Sequence, residues 1–270
     1  MSIAVNLTPD LWIGEQGLSS VAVSGIENLV VKLANTSELE QAFRLRYRVF
    51  VEEENNMRLR NNARLEFDEY DALCDHLIVK NLTTNEVIGT YRLLPGRRTS
   101  ANKGFYSESE FDLSSIEDKR TYTLELGRSC IDPAYRSGRA IHMLWEGIAA
   151  YTLEHGYRNL IGCASVHMKS LKELNEIYSL LLWKQVITSR FGIQPLPTHR
   201  IEGLQWYEID GQERDIMRRL PPLMKGYQWL GAEIGGDPAY DRIFDTVDFL
   251  IVLETSKVTR RYKKHFLDRS

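Results

Sequence analysis

The sequence predicts an α/β protein with a mixed, mostly antiparallel central sheet, helices on both of its faces, and a C-terminal extension. Three observations carry this. Strand-like and helix-like apolar periodicities alternate along the chain in the order β-α-β-β-β-α-β-α. Three strands in the middle, separated by a short polar turn and then a longer polar loop, read as an antiparallel meander. A strand-helix-strand unit follows the meander and calls for a parallel pairing inside the same sheet. No repeat or low-complexity tract is present, which excludes solenoids and propellers. At 270 residues the chain suits one enlarged domain, read as 27–256, between an irregular arm at 1–26 and a basic tail at 257–270.

The elements follow in order. Residues 27–33 (ENLVVKL) read as a first strand. Thr36 or Ser37 caps a helix to about Val51, with Leu39, Phe43, Tyr47 and Phe50 at helical intervals. The acidic, Asn-rich stretch 52–62 has no apolar period and reads as a loop. Strands at 75–81 and 87–94 flank a Thr84-Asn85 turn and stop at Pro95-Gly96. A polar loop, 97–119, leads to a long strand at 122–131. The next helix, about 137–155, has Ile141, Leu144, Trp145, Ile148 and Thr152 as its buried stripe, and Gly156 ends it. A buried strand (159–166) and a second amphipathic helix (170–189) come next. The remainder reads as a short strand near 204–209, a helix near 212–220 and an apolar strand at 248–254.

Composition narrows the function classes. Lys and Arg number 34 against 37 Asp and Glu, a net charge of −3, so no global field exists to neutralise nucleic-acid phosphates. Three widely spaced cysteines argue against a disulfide framework and suit a reducing compartment. The first basic residue is Lys32, so the charged start of a signal peptide is missing; a cytoplasmic protein is expected, with at most peripheral contact to an anionic membrane. The six histidines show no metal-ligand spacing, and no metal is expected.

Charge sits where a core should be. Arg46 lies in the first helix, Glu66, Asp68 and Asp71 close the following loop, Arg92 interrupts strand 87–94, and Glu125 and Arg128 interrupt strand 122–131. Such side chains inside apolar strands are costly unless paired or functional. Each alone also fits a solvated sheet face; the recurrence near the ends of successive elements points to a site. The segment Arg136-Ser-Gly138-Arg139 then joins a strand to a helix N-terminus, where free N–H groups, the helix dipole and two guanidinium forks favour an anion.

These residues resemble the acyl-donor site of the GNAT acyltransferase superfamily, so the expected sheet is GNAT-like. The loop departs from the usual Gln/Arg-x-x-Gly-x-Gly/Ala: Gly138 comes one position early and Arg139 takes a glycine's place. Arg46-x-x-x-Phe50, Glu66-x-Asp68-x-x-Asp71, Arg92 and Glu125-x-x-Arg128 look like the ordered signature of acyl-homoserine-lactone synthases, although Asn56 stands where that family has tryptophan. Longer runs, Glu125 to Arg136, Leu144 to Tyr151, Ile161 to Ser165, Leu220 to Tyr227 and Asp248 to Leu253, resemble the hemolysin-like group of ornithine-lipid N-acyltransferases and N-acyl amino acid synthases.

The resemblance implies transfer of a long acyl chain, 3-hydroxylated in some members, from an acyl carrier protein thioester to the amino group of an amino acid. The acyl-phosphopantetheine arm, carried by acyl carrier protein or CoA, would lie between splayed strands 122–131 and 159–166. Ser129, Cys130, Arg136, Gly138, Arg139, Cys163 and Ser165 are the candidate residues along it. A backbone N–H near 127–130 would polarise the thioester carbonyl. Glu125 is the first candidate for the base that deprotonates the amine, with Glu66 in reserve. Arg46, Asp68, Asp71, Arg92 and Arg128 either bind the acceptor or lock the carboxylates in place. Cys163 is a nucleophile or a small apolar filler, with direct attack preferred. Leu171, Leu174, Ile177, Leu181, Val186 and Trp206 line an acyl tunnel or belong to ordinary core. Arg97, Arg98, Lys103, Arg136, Arg139 and the basic tail are the expected docking face for an acidic carrier protein. The competing readings are an acyl-homoserine-lactone synthase using S-adenosylmethionine and a non-catalytic acyl-carrier or lipid-binding regulator.

Overall fold

Strand β1 (Leu29–Leu33) opens the described part of a computed structural model, which covers residues 28–100 and 102–258. The expected arm and the tail beyond Val258 lie outside it. Helix α1 (Thr36–Tyr47) is capped by Asn35 rather than by Thr36 or Ser37. The Asn35 side chain accepts from the Glu38 N–H at 3.1 Å while Glu38 accepts from the Asn35 N–H at 3.0 Å, a reciprocal box that satisfies two otherwise orphaned donors. Its buried face runs through Leu39, Ala42 and Leu45 to Val49, with Phe43 and Phe50 half-buried at the edge. The helix continues as a π-turn over Arg48–Glu53.

Strands β2 (Asp75–Asn81) and β3 (Glu86–Pro95) form the expected hairpin, with Asn85 in the left-handed region at φ 60°. Next come β4 (Phe111–Asp112), β5 (Thr123–Ile131), α2 (Arg139–Glu154), β6 (Asn159–Val166) and α3 (Leu171–Trp183). The chain finishes with β7 (Gln194–Pro195), α4 (Glu213–Arg219), α5 (Pro222–Leu230), β8 (Glu233–Ile234), β9 (Ala239–Asp241) and β10 (Thr246–Glu254). The main sheet runs β1-β2-β3-β5-β6-β10-β8, with β9 beside β10. Every pairing along it is antiparallel except β5–β6.

Alternating side chains divide the sheet into two faces. Leu77, Val79, Leu93, Leu124 and Leu126 pack beneath α2, while Ile78, Val87 and Cys130 pack beneath α1. On the α2 face, Phe249, Ile251 and Leu253 continue into a core shared with α3, α4 and α5. On the α1 face, Leu250, Val252 and Ile161 meet Phe105, Phe111 and Leu113 from the segment between β3 and β5, expected to be a plain loop and built of short 3₁₀ turns.

The strand expected near 204–209 does not form. The side chains of α3 hold this segment instead: Asn175 accepts from the Gln205 N–H at 3.0 Å and Ser179 from the Tyr207 N–H at 2.7 Å, so its backbone donors are satisfied without a neighbouring strand. Helix α3 stops at Trp183, six residues before the expected end at 189.

One irregularity organises everything that follows. Strands β5 and β6 pair only at Thr123–Asn159, Leu124–Leu160 and Glu125–Ile161, and then part. At the fork Gly162 lies against Leu126: a Cβ there would sit 2.2 Å from the Leu126 carbonyl oxygen. Gly162→Ala is therefore expected to force the fork, costing about 1–3 kcal/mol of stability as overpacking does and lowering turnover per folded molecule. Unchanged melting and turnover would show that the fork is looser than this contact implies.

Candidate active site

Opposite the fork, β3 and β5 lose register. Thr90 faces Cys130 and Arg92 faces Gly127, so Tyr91 alone opposes both Arg128 and Ser129. This is a β-bulge, and Arg128 takes a left-handed φ of 50°, a conformation that disfavours a side chain and is retained where the surroundings over-determine it. The surroundings here are a buried ion network. Arg128 donates from Nε to Glu66 at 3.0 Å and from Nη2 to Asp68 at 2.7 Å. Arg92 Nη1 meets both Asp68 oxygens at 2.7 and 2.8 Å. Arg46, fully enclosed, donates from Nε to Glu66 and from its two terminal nitrogens to Asp71 at 2.7 and 3.1 Å. Three arginines thus meet three carboxylates with no net charge, in a geometry of forked, charge-assisted bonds. Tyr106 lies under the Arg128 and Arg92 guanidinium groups, at 4.6 and 5.0 Å.

Beside this network a cavity of about 220 Å³ opens on the α1 face of the fork. Its lining includes Arg92, Glu125, Arg128, Ser129, Cys163 and Ser165 from the expected set, together with Tyr106, Ser107, Asp241 and Asp248. Glu66, Asp71 and Arg46 stand behind the lining and Asp68 bridges to it, so Glu66 serves the arginines rather than facing the cavity. Cys130 packs under α1, and Arg136 is tied to Glu53 at the α2 entrance. Gly138 caps α2 at φ 104°, and neither it nor Arg139, in the first turn, is part of this lining.

Glu125 accepts from the Ser107 N–H at 2.8 Å, the Ser107 hydroxyl at 2.5 Å and the Tyr106 N–H at 2.6 Å. Burial pushes its carboxyl above the usual carboxylate range, against the pull of those donors and of Arg92. Burial also holds the Cys163 thiol well above its ordinary value, so it persists as a thiol.

A second cavity, about 130 Å³ and almost wholly apolar, opens on the α2 face. Trp145, Ile148, Ala149 and Leu153 of α2, Leu230 of α5, and Leu160, Ile251 and Leu253 of the sheet line it. Helix α3 does not: Leu174, Ile177 and Leu181 are ordinary core, Val186 packs against it, and Leu171 and Trp206 are exposed, so none of the six residues expected to line a tunnel lines this cavity. The two cavities share Tyr91, Leu126 and Tyr227, and the two tyrosine hydroxyls bond at 2.6 Å. The apolar and the charged cavity thus adjoin at the fork, with these three residues between them.

The chain matches the acetyltransferase (GNAT) domain family over residues 45–146. It is 35% identical over 254 residues to the L-ornithine N(alpha)-acyltransferase of Agrobacterium fabrum (strain C58 / ATCC 33970), covering 89% of this chain and 86% of that one. The chain belongs to the L-ornithine N(alpha)-acyltransferase family. The protein of the same name from Rhizobium meliloti (strain 1021) is 34% identical, over 92% of this chain and 87% of its own. Among solved structures, the CoA-dependent acyl-homoserine lactone synthase BjaI is similar at a TM-score of 0.49 and 16% identity, covering 87% of this chain and 82% of that one. This family member is a GNAT N-acyltransferase, with an acyl thioester as donor and an amine as acceptor. No helix among its described residues is long and apolar enough to cross a membrane.

Sequence reasoning missed Tyr91, Tyr106, Ser107 and Asp241 as lining residues, and noted Tyr227 and Asp248 only within runs. The available signal was a carboxylate opening the apolar strand Asp248-Phe-Leu-Ile-Val-Leu253, the same anomaly that singled out Glu125.

Proposed function

We propose that this N-acyltransferase moves a long fatty acyl chain from acyl carrier protein to the α-amino group of ornithine. The observation that carries this is the β5–β6 fork, with an apolar chamber on one face and a charged chamber on the other. The acyl tail occupies the first, the thioester carbonyl reaches through the fork, and the amino acid occupies the second. The names of the relatives support ornithine as acceptor. The α2 entrance supports a carrier protein rather than CoA, because Arg139 stands where a pyrophosphate cradle would want glycine. Of the expected docking cations, Arg98, Lys103 and Arg136 already pair with Asp75, Glu69 and Glu53.

In this reading Glu125 takes a proton from the acceptor ammonium, using a lone pair left after its three accepted bonds. The freed nitrogen attacks the carbonyl carbon, and backbone N–H groups of the Arg128-Ser129 bulge stabilise the oxyanion. The C–S bond then breaks as the nitrogen gives up its second proton, and the Tyr91–Tyr227 hydroxyls relay that proton to the departing thiolate, so the pair ends neutral. Asp68 and Glu66 position Arg92 and Arg128, which meet the acceptor carboxylate. Cys163 stays uncharged, and no acyl adduct on it is expected in the intact mass of enzyme held with acyl donor alone.

The test supplies purified enzyme with L-ornithine and either acyl or 3-hydroxyacyl carrier protein, or the matching CoA esters, and reads products by mass spectrometry. Nα-acylornithine is expected, with a kcat/KM for the carrier-protein donor at least roughly tenfold above that for CoA, the effect of about 1.4 kcal/mol of differential binding. Acylation of the δ-nitrogen, preference for CoA, or no product with any thioester would overturn the corresponding part of the reading.

A further inference from the structure

Behind the fork, Glu110 ends the second 3₁₀ segment after β3 (Tyr106–Ser109) and is buried at 3% exposure, with Oε2 lacking any hydrogen-bond partner. A buried carboxylate oxygen without a donor is costly, on the order of 1–3 kcal/mol or more for a charged group. One carboxylate oxygen of Glu110, one of Asp248 and the Cys163 sulfur lie within 4.8 Å of one another. Any three atoms so placed leave a point within about 2.8 Å of each, the length of a charge-assisted N–H···O bond. Cys163 and Asp248 line the charged chamber, as does Asp241 on β9.

We propose that Glu110, Asp248 and Cys163 form the subsite for the second, terminal ammonium of a diamino acid acceptor. This rests on the acceptor reading above and adds how the side chain is chosen. The chamber spans the strand order β3-β5-β6-β10, with Arg92 and Arg128 at one end, Cys163 and Asp248 at the other, and Glu110 against that pair behind the lining. From β5 to β10 is two strand spacings, about 10 Å where the strands pair and more beyond the fork. The path from the carboxyl carbon to the terminal nitrogen of extended ornithine is five bonds, about 6 Å, with about 2.8 Å of hydrogen bond at each end. The carboxylate therefore meets the arginines, the terminal ammonium meets the trio, and the α-nitrogen falls between them, beside Glu125 and the fork.

An ammonium suits the trio better than a divalent metal. Burial keeps the thiol protonated and no histidine joins the set, so it offers two carboxyl groups and a neutral thiol. Burial, then Asp248 and Asp241, push the Glu110 carboxyl up to about 9, and burial first of all pushes Asp248 up to about 6. An incoming cation relieves both.

The experiment compares L-ornithine with L-norvaline, which has the same carbon skeleton without the terminal nitrogen, using acyl carrier protein as donor. Wild-type enzyme is expected to prefer ornithine by at least about 100-fold in kcat/KM, because a site built around a polar group rejects the analogue lacking it. In Glu110→Gln and Asp248→Asn the preference is expected to fall below about tenfold, mainly through a higher KM for ornithine. A flat ratio in the active wild type overturns the subsite while leaving the acceptor reading intact, and an unchanged ratio in both folded variants does the same. A stoichiometric bound divalent ion whose chelation removes activity would also overturn it, in favour of a metal centre. Should the variants fail to fold, the wild-type ratio still decides. No acylation of either amine would fail the acceptor reading itself and this inference with it.

Discussion

Glu125→Gln is expected to lower kcat by roughly 10²- to 10⁴-fold, the range for loss of a general base, with a much smaller change in the KM for acyl donor. Glutamine keeps the shape but offers one acceptor oxygen where three donors from Tyr106 and Ser107 now converge. One of them is left short, so melting is expected to fall by the equivalent of about 1–3 kcal/mol. The pH profile separates the two roles. Burial raises the Glu125 carboxyl above its ordinary value, and the ionised form is the base. Activity should therefore fall as pH drops through that raised value, above the ordinary glutamate value of about 4.3. In Glu125→Gln that acidic limb should vanish along with the rate. A limb that survives there and disappears in Asp248→Asn would transfer the role to Asp248, which is held at about 6 and lines the same chamber. Near-normal turnover by folded Glu125→Gln would remove Glu125 from the mechanism.

Arg46→Ala is expected to destabilise the protein by about 3–5 kcal/mol, because it leaves Glu66 and Asp71 buried without their main counter-charge. For a chain of this size that corresponds to a melting temperature lower by roughly 10 °C. Acid stability should move with it. Burial pushes the Asp71 carboxyl up, but the Arg46 and Arg92 charges outweigh that and hold it below the ordinary range. Such a group contributes stability above its unfolded value, about 3.9, and that contribution is lost as pH falls through the lower folded value. Without Arg46 the contribution disappears and the acid unfolding midpoint should rise, read by circular dichroism. A variant with unchanged melting and acid midpoint would mean that the network is not a unit of stability.

Local rules read the elements they govern. The β2–β3 hairpin, β5, α2 with its Gly156 stop, β6 and β10 follow from periodicity and turn residues, because each pattern is written in consecutive side chains. Where neighbours decided, the reading slipped. Asn35 took the cap because Glu38 could answer it. Residues 204–209 lost their strand because Asn175 and Ser179 supplied partners from α3. The strands β4, β7, β8 and β9, two or three residues each, carry too few positions for any period to show.

The site divides in the same way. Charges misplaced in an apolar helix and in apolar strands were enough to name Arg46, Arg92, Glu125 and Arg128, since the cost of burying an ion is a property of residue and context along the chain. Which of them face a chamber and which stand behind it is a matter of side-chain direction after a bulge. The lining residues Ser107, Tyr227 and Asp241 come from segments up to 134 residues apart, between Ser107 and Asp241. The sequence alone determined the long strands and helices and the presence of charge within them, because those depend on near neighbours. Tertiary structure decided the fork, the two chambers and the pairing of each ion. Those depend on strands 123–131 and 159–166 parting after three pairs, a relation between backbones that no single segment contains.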